Sequence, residues 1–132
     1  MTTKIEPMNP DVKTKWVAAL RSGKYKQVKE TLKKRNGGMC CLGVLCELYR
    51  QETGVGKWEF HKDSGEYEFL GQRGELPETV KDWAGLNEQD PRTGVPMLEF
   101  LNGSLLSHSF AGLNDNAGYS FEQIAQVIEE KF

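Results

Sequence analysis

The chain has 132 residues, 38% of them hydrophobic and 27% charged, with a formal net charge of −2. This suits one compact domain over 1–132 that builds its own apolar core without metal or disulfide staples. No apolar run approaches the roughly 20 residues that span a bilayer, and the opening MTTKIEPMNP lacks the apolar stretch of a secretory signal.

Residues 1–8 are expected to be loose. Asn9-Pro10 then reads as an N-cap with proline at the first helical position, where a missing N–H costs nothing. Val12, Trp16, Ala19 and Leu20 recur at helical spacing, and Gly23 ends the helix. YKQVKETLKK alternates poorly and is expected to be a strand. RNGG after it is a turn, because Asn and Gly take positive φ cheaply. MCCLGVLCELYRQETG predicts a helix to about Thr53, apolar nearly all round and therefore buried. Gly43 lowers its helix propensity, and the expected return is close backbone packing.

Trp58-Glu59-Phe60 and Glu66-Tyr67-Glu68-Phe69 alternate around KDSG, as a β-hairpin with one aromatic and one charged face does. LPETVKDWAGL is a short helix from Pro77 to Gly85 with Val80, Trp83 and Ala84 inward, and NEQDPRTG is a loop. Asn102-Gly103, between Leu98 and Phe100 on one side and Leu105 and Leu106 on the other, signals a second hairpin. The end, YSFEQIAQVIEEKF, carries a capping-box pair, Ser120 and Gln123, and the stripe Phe121, Ile124, Ala125, Ile128, Phe132. The expected class is α+β: about four helices with two β-hairpins forming a small antiparallel sheet.

The three cysteines, Cys40, Cys41 and Cys46, lie within seven positions. An odd number cannot complete a disulfide framework, which points to a reducing cytoplasm. Zinc needs about four ligands at matched spacing; His61 or His108 would have to complete the set, and adjacent cysteines rarely share one ion. No metal and no cofactor is expected. Cys41 near a helix start could be a nucleophile, with His61 or His108 as base and Gln27 as oxyanion donor. Its neighbours Leu42, Val44, Leu45 and Leu48 favour plain packing instead.

Charge divides the chain unevenly. Up to Arg35 there are ten Lys or Arg against three Asp or Glu, and beyond it seven against sixteen. The cationic third is either a solvated face drawn to the acidic body or a site for an anion. Sequence-specific duplex binding is disfavoured, since the pI is near 5.7 and such domains run above about 9.

WVAALRSGKYKQ (16–27), MCCLGVLCELY (39–49), LPETVKDWAGL (76–86), and LND (113–115) with SFEQIAQVIE (120–129) occur in order. Together they resemble a family of small accessory proteins of tailed phages, with blocks LRSGxYxQ, CCLGVLC, LPxxVxxWAGL and LNDxG-SF. Two departures stand out: the charged VKETLKKRNGG where that family carries a Gly-rich piece, and the longer NDNAGYSF. The resemblance implies a phage protein at work in the bacterial host cytoplasm, countering immunity without catalysis.

In that setting the expected ligand is a phosphate-bearing, nucleotide-derived signal, a cyclic oligonucleotide or cyclic ADP-ribose. Arg21, Lys24, Lys26 and Lys29 would neutralise phosphates. Tyr25 or Trp83 would stack on a base, while Gln27, Asn114 and Asp115 would read base edges or ribose hydroxyls. A pocket of this kind fits a homo-oligomer. One alternative is an inhibitor that binds a host defence protein through hairpin aromatics beside Glu59, Glu66 and Glu68. The other is a cysteine-dependent hydrolase using Cys41.

Overall fold

A computed structural model describes residues 7–101 and 104–132, with the side chains of 97–101 and 104–106 left out. Among the described residues five helices and four strands follow in the order α1 (Pro10–Arg21), α2 (Cys41–Thr53), β1 (Trp58–His61), β2 (Glu66–Phe69), α3 (Glu78–Ala84), β3 (Arg92–Leu101), β4 (Ser104–Ser109), α4 (Phe110–Asp115) and α5 (Phe121–Lys131). The α+β class holds. The two hairpins stay apart, each as its own two-stranded antiparallel sheet.

The helix ends follow local chemistry. Asn9 accepts from the Asp11 N–H at 3.0 Å ahead of Pro10, and Ser120 and Gln123 form the reciprocal capping box at α5. The α1 stripe buries Val12, Trp16, Val17 and Leu20, and α5 buries Phe121, Ile124, Ala125, Val127 and Ile128. α1 packs directly on α5, and α2, buried at nine consecutive residues from Cys41 to Tyr49, packs against α3, α4 and the inner face of α1. Trp16 crosses that interface, its Nε1 donating to the Cys41 carbonyl at 3.0 Å and its ring edge-on to Phe110 at 5.1 Å.

Gly43 is the contact point foreseen for α2. A Cβ there would lie 2.0 Å from the Leu32 carbonyl oxygen, so only glycine lets the helix meet residue 32 this closely. Gly85 does similar work after α3. At φ +73° it closes the helix, and a Cβ would stand 2.9 Å from the Asn9 nitrogen, which donates to the Ala84 carbonyl.

Four expectations change. Residues 25–34 form no strand: Gln27 and Lys33 each bridge Met39 while Lys34 bridges Glu66, so the backbone bonds scatter over several partners. LND, expected as the lead-in to α5, ends a separate helix, α4, whose N-cap Ser109 accepts from the Gly112 N–H. β3 begins at Arg92, inside the expected loop, and its register with β4 shifts twice around Pro96. Met8, expected to be loose, is 3% exposed and belongs to the core. The Asn102-Gly103 turn and residues 1–6 lie outside the described residues, as do the side chains of Leu98, Phe100, Leu105 and Leu106.

Candidate functional site

The connection from α1 to α2, residues 22–38, carries Lys24, Lys26, Lys29, Lys33, Lys34 and Arg35 against one acid, Glu30. It is held down by its inward groups. The Val28 N–H donates to the Met39 carbonyl at 3.0 Å, the Met39 N–H to the Lys26 carbonyl at 2.8 Å, and the Leu32 N–H to the Arg73 carbonyl at 2.6 Å. Thr31 and Leu32 are buried, whereas Lys24, Lys26 and Lys29 are exposed.

Asn114, 1% exposed, is the hub beneath this loop. Its Oδ1 accepts from Gln27 Nε2 at 2.9 Å and from the Cys41 N–H at 3.3 Å. Its Nδ2 donates to the Val28 carbonyl at 2.7 Å and to Asp115 Oδ1 at 2.9 Å. Gln27 also donates to the Tyr119 carbonyl, and Asp115 accepts from the Glu30 N–H. That last bond holds Glu30 at φ 69°, a left-handed conformation unusual for a side chain. Cys40, the N-cap of α2, makes no side-chain cap bond, and Asn114 caps the helix from across the fold.

The expected ligand set therefore divides. Gln27, Asn114 and Asp115 do come together, with Gln27 Nε2, both ends of the Asn114 amide and Asp115 Oδ1 engaged with the protein itself, so these groups cross-link loop, α2 and α4, and the buried Asn114 is corrected from base-reading group to hub. Arg21 is paired with Glu122 at 3.0 Å and Glu129 at 2.7 Å on α5, which turns it from phosphate ligand to helix clamp. Trp83 on α3 is half-buried and packs edge-on against Tyr49 at 5.3 Å, and Tyr25 is half-buried against the core. Lys24, Lys26 and Lys29 are exposed at the surface of the loop. Among the described residues these three form no ion pair.

Cys41 is fully buried, and its thiol faces the Phe110 carbonyl at 3.6 Å. Burial pushes its pKa well above that of a free thiol, as it does for Cys46, and brings Cys40 up to about 12. A thiolate nucleophile is disfavoured by the same desolvation that makes these residues good core. Among the described residues no three His, Cys, Asp or Glu side chains gather as metal ligands.

The hairpin packs on its own domain. Phe69 is fully buried, Trp58 lies 4.9 Å from it, and the Lys33 ammonium stands over Trp58 at 5.1 Å and over Tyr67 at 4.6 Å. Arg35 stands over Phe60 at 5.5 Å. The aromatics expected to meet a host protein thus mostly face inward. Glu47 of α2 ties the hairpin in, accepting from Arg50 Nε at 2.8 Å and Nη2 at 2.6 Å, from Gln51 Nε2 at 2.9 Å and from Trp58 Nε1 at 3.0 Å. Burial raises its pKa, but the Arg50, Trp58 and Gln51 hydrogen bonds outweigh it and hold the carboxyl at about 2. Burial also lowers the Lys33 pKa. Sequence reasoning passed over Glu47, although a lone acid within an otherwise apolar buried helix was the available signal.

An open depression of about 450 Å³ is lined by Gly56, Lys57, Glu59, Leu70 and Gly71. None of the expected ligand residues lines it.

Residues 8–132 match the model of a family described as a domain of unknown function (DUF8296). No curated protein and no solved structure matches the chain.

Proposed function

The chain belongs to the DUF8296 family, and we propose that it works by binding, not catalysis, holding a phosphate-bearing, nucleotide-derived ligand against the cationic loop of residues 22–38. The observation that carries this is the contrast within one segment. Gln27, Val28 and Glu30 are anchored through Asn114 and Asp115, while Lys24, Lys26 and Lys29 stand exposed without carboxylate partners among the described residues. Cations on an anchored backbone lose less conformational freedom on binding an anion than cations on a free loop do. Lysine suits phosphate as a point charge with several rotatable donors. The resemblance to phage accessory proteins supplies the setting: sequestration of an immune signal in a bacterial host, with a homo-oligomer as the working form.

A thermal-shift panel of cyclic dinucleotides, cyclic trinucleotides and cyclic ADP-ribose tests this. A ligand at about 100 times its Kd stabilises the fold by about 2.7 kcal/mol, a rise of about 10 °C in Tm for a chain of this size. Charge reversal at Lys24, Lys26 and Lys29 together abolishes the rise. No shift across the panel, or a shift that survives the triple reversal, refutes the proposal.

A further inference from the structure

We propose that Asp115 and Gln27 make the cationic loop selective: beside its phosphates the ligand presents neutral hydrogen-bond donors, ribose hydroxyls or an exocyclic amine, to Asp115 Oδ2 and Gln27 Oε1. This rests on the assignment of residues 22–38 as a phosphate site and names the second half of what that site recognises. The protein itself uses each of these side chains at one atom. Asp115 Oδ1 accepts from the Glu30 N–H and from Asn114 Nδ2, both at 2.9 Å. Gln27 Nε2 donates to Asn114 Oδ1 at 2.9 Å and to the Tyr119 carbonyl at 2.8 Å. Both of its partners are acceptors, which fixes the amide with its oxygen turned elsewhere.

The remaining oxygens are open. Among the described residues no donor reaches Asp115 Oδ2 or Gln27 Oε1, and Asp115 takes part in no ion pair. The one buried side-chain nitrogen or oxygen left without a partner among the described residues is His61 Nε2. Asp115 and Gln27 are half-buried, so their unpartnered oxygens face solvent. They flank one group, Gln27 at the Oδ1 end of the Asn114 amide and Asp115 at its Nδ2 end. Asn114 is 1% exposed, which mounts the pair on the core. Acceptors fixed in this way lose little freedom on binding a donor.

Cross-linking alone does not call for an acid at position 115. One oxygen does that work, and an asparagine supplies it equally. The second oxygen adds an acceptor and a negative charge against a loop whose Lys24, Lys26 and Lys29 are exposed. Glu30, also exposed, adds a second carboxylate beside Lys29. These two acids repel phosphate, whose oxygens at neutral pH have no proton to give. The phosphates therefore keep to the lysines, and what faces Asp115 is a group that donates without negative charge. A nucleotide carries both chemistries in one molecule, its phosphates beside the hydroxyls of its ribose and the amine of its base. A carboxylate accepts such a proton in a short, charge-assisted bond, and a ligand lacking the donor leaves that acceptor unpaired.

Isothermal titration of the full chain tests this with 3′,3′-cyclic diadenylate, 3′,3′-cyclic diguanylate and cyclic ADP-ribose. Each is compared with its 2′-deoxy analogue and with the analogue carrying hypoxanthine in place of adenine or guanine. For a parent that binds, at least one stripped analogue is weaker by at least about tenfold. Loss with the deoxy analogue assigns the donor to the ribose, and loss with hypoxanthine assigns it to the amine. Asp115→Asn keeps the Oδ1 acceptor for Glu30 and Asn114 and melts close to wild type, while its preference for the parent falls at least about fivefold. A role confined to cross-linking would weaken parent and analogue alike and keep their ratio. Equal affinity of wild type for a parent and both its analogues, or a ratio unchanged in Asp115→Asn, overturns the proposal and leaves the phosphate site standing. No binding of any parent overturns the two together. The wild-type comparison needs no variant, so it decides the matter even if Asp115→Asn does not fold.

Discussion

Gly43→Ala puts the packing of α2 to a direct test. On helix propensity alone the change is favourable by up to about 1 kcal/mol. Against it, the new methyl would stand 2.0 Å from the Leu32 carbonyl oxygen, 2.9 Å from its carbon and 3.2 Å from the Met39 Cβ. The first two are backbone atoms of a fully buried residue, so no side-chain rotation relieves them. Relief needs α2 and residue 32 to separate, which breaks the 3.2 Å bond from the Cys40 N–H to the same carbonyl. Overpacking costs about 1–3 kcal/mol and an orphaned buried hydrogen-bonding group about 1–3 more. The net loss is about 2–4 kcal/mol. A chain of this length loses roughly 3.5 °C of Tm per kcal/mol, so the melting point falls by about 7–14 °C. Circular dichroism melts with matched urea titrations read this out. An alanine variant as stable as wild type would show that α2 and residue 32 do not meet at this distance.

Two further outcomes follow from the polar hubs. Asn114→Ala strands the Cys41 N–H and the Val28 carbonyl and frees Gln27, at a cost of about 3 kcal/mol or near 10 °C in Tm, with faster tryptic cleavage after Lys24, Lys26 and Lys29. Unchanged stability together with lost ligand binding would restore Asn114 as a ligand group. Glu47 has a folded pKa of about 2 against an ordinary 4.5, so its contribution is complete above pH 4.5 and fades as the pH falls toward 2. After allowance for solvent screening this is about 1–2 kcal/mol, and Glu47→Gln flattens that part of the profile in urea titrations from pH 6 to pH 3. Parallel acid loss in both proteins would refute the assignment.

Local periodicity and capping chemistry determine much of the fold without tertiary information. α1, α2, α3, α5 and the first hairpin lie where apolar spacing, Pro10, Ser120 with Gln123, and the alternation at 58–69 place them. The use of the cysteines as core follows from their apolar neighbours in the same way. What each polar side chain does was decided by packing. Gln27 meets Asn114 across 87 positions and Arg21 meets Glu122 across 101, and no local pattern encodes those partners. The expected strand after Gly23 failed for the same reason, because its backbone groups bond to Met39, Arg73 and Tyr67 rather than to a single neighbouring strand. Hydrophobic burial repeats along the chain and can be read there, whereas a hydrogen bond between distant residues exists only once the core has set their distance.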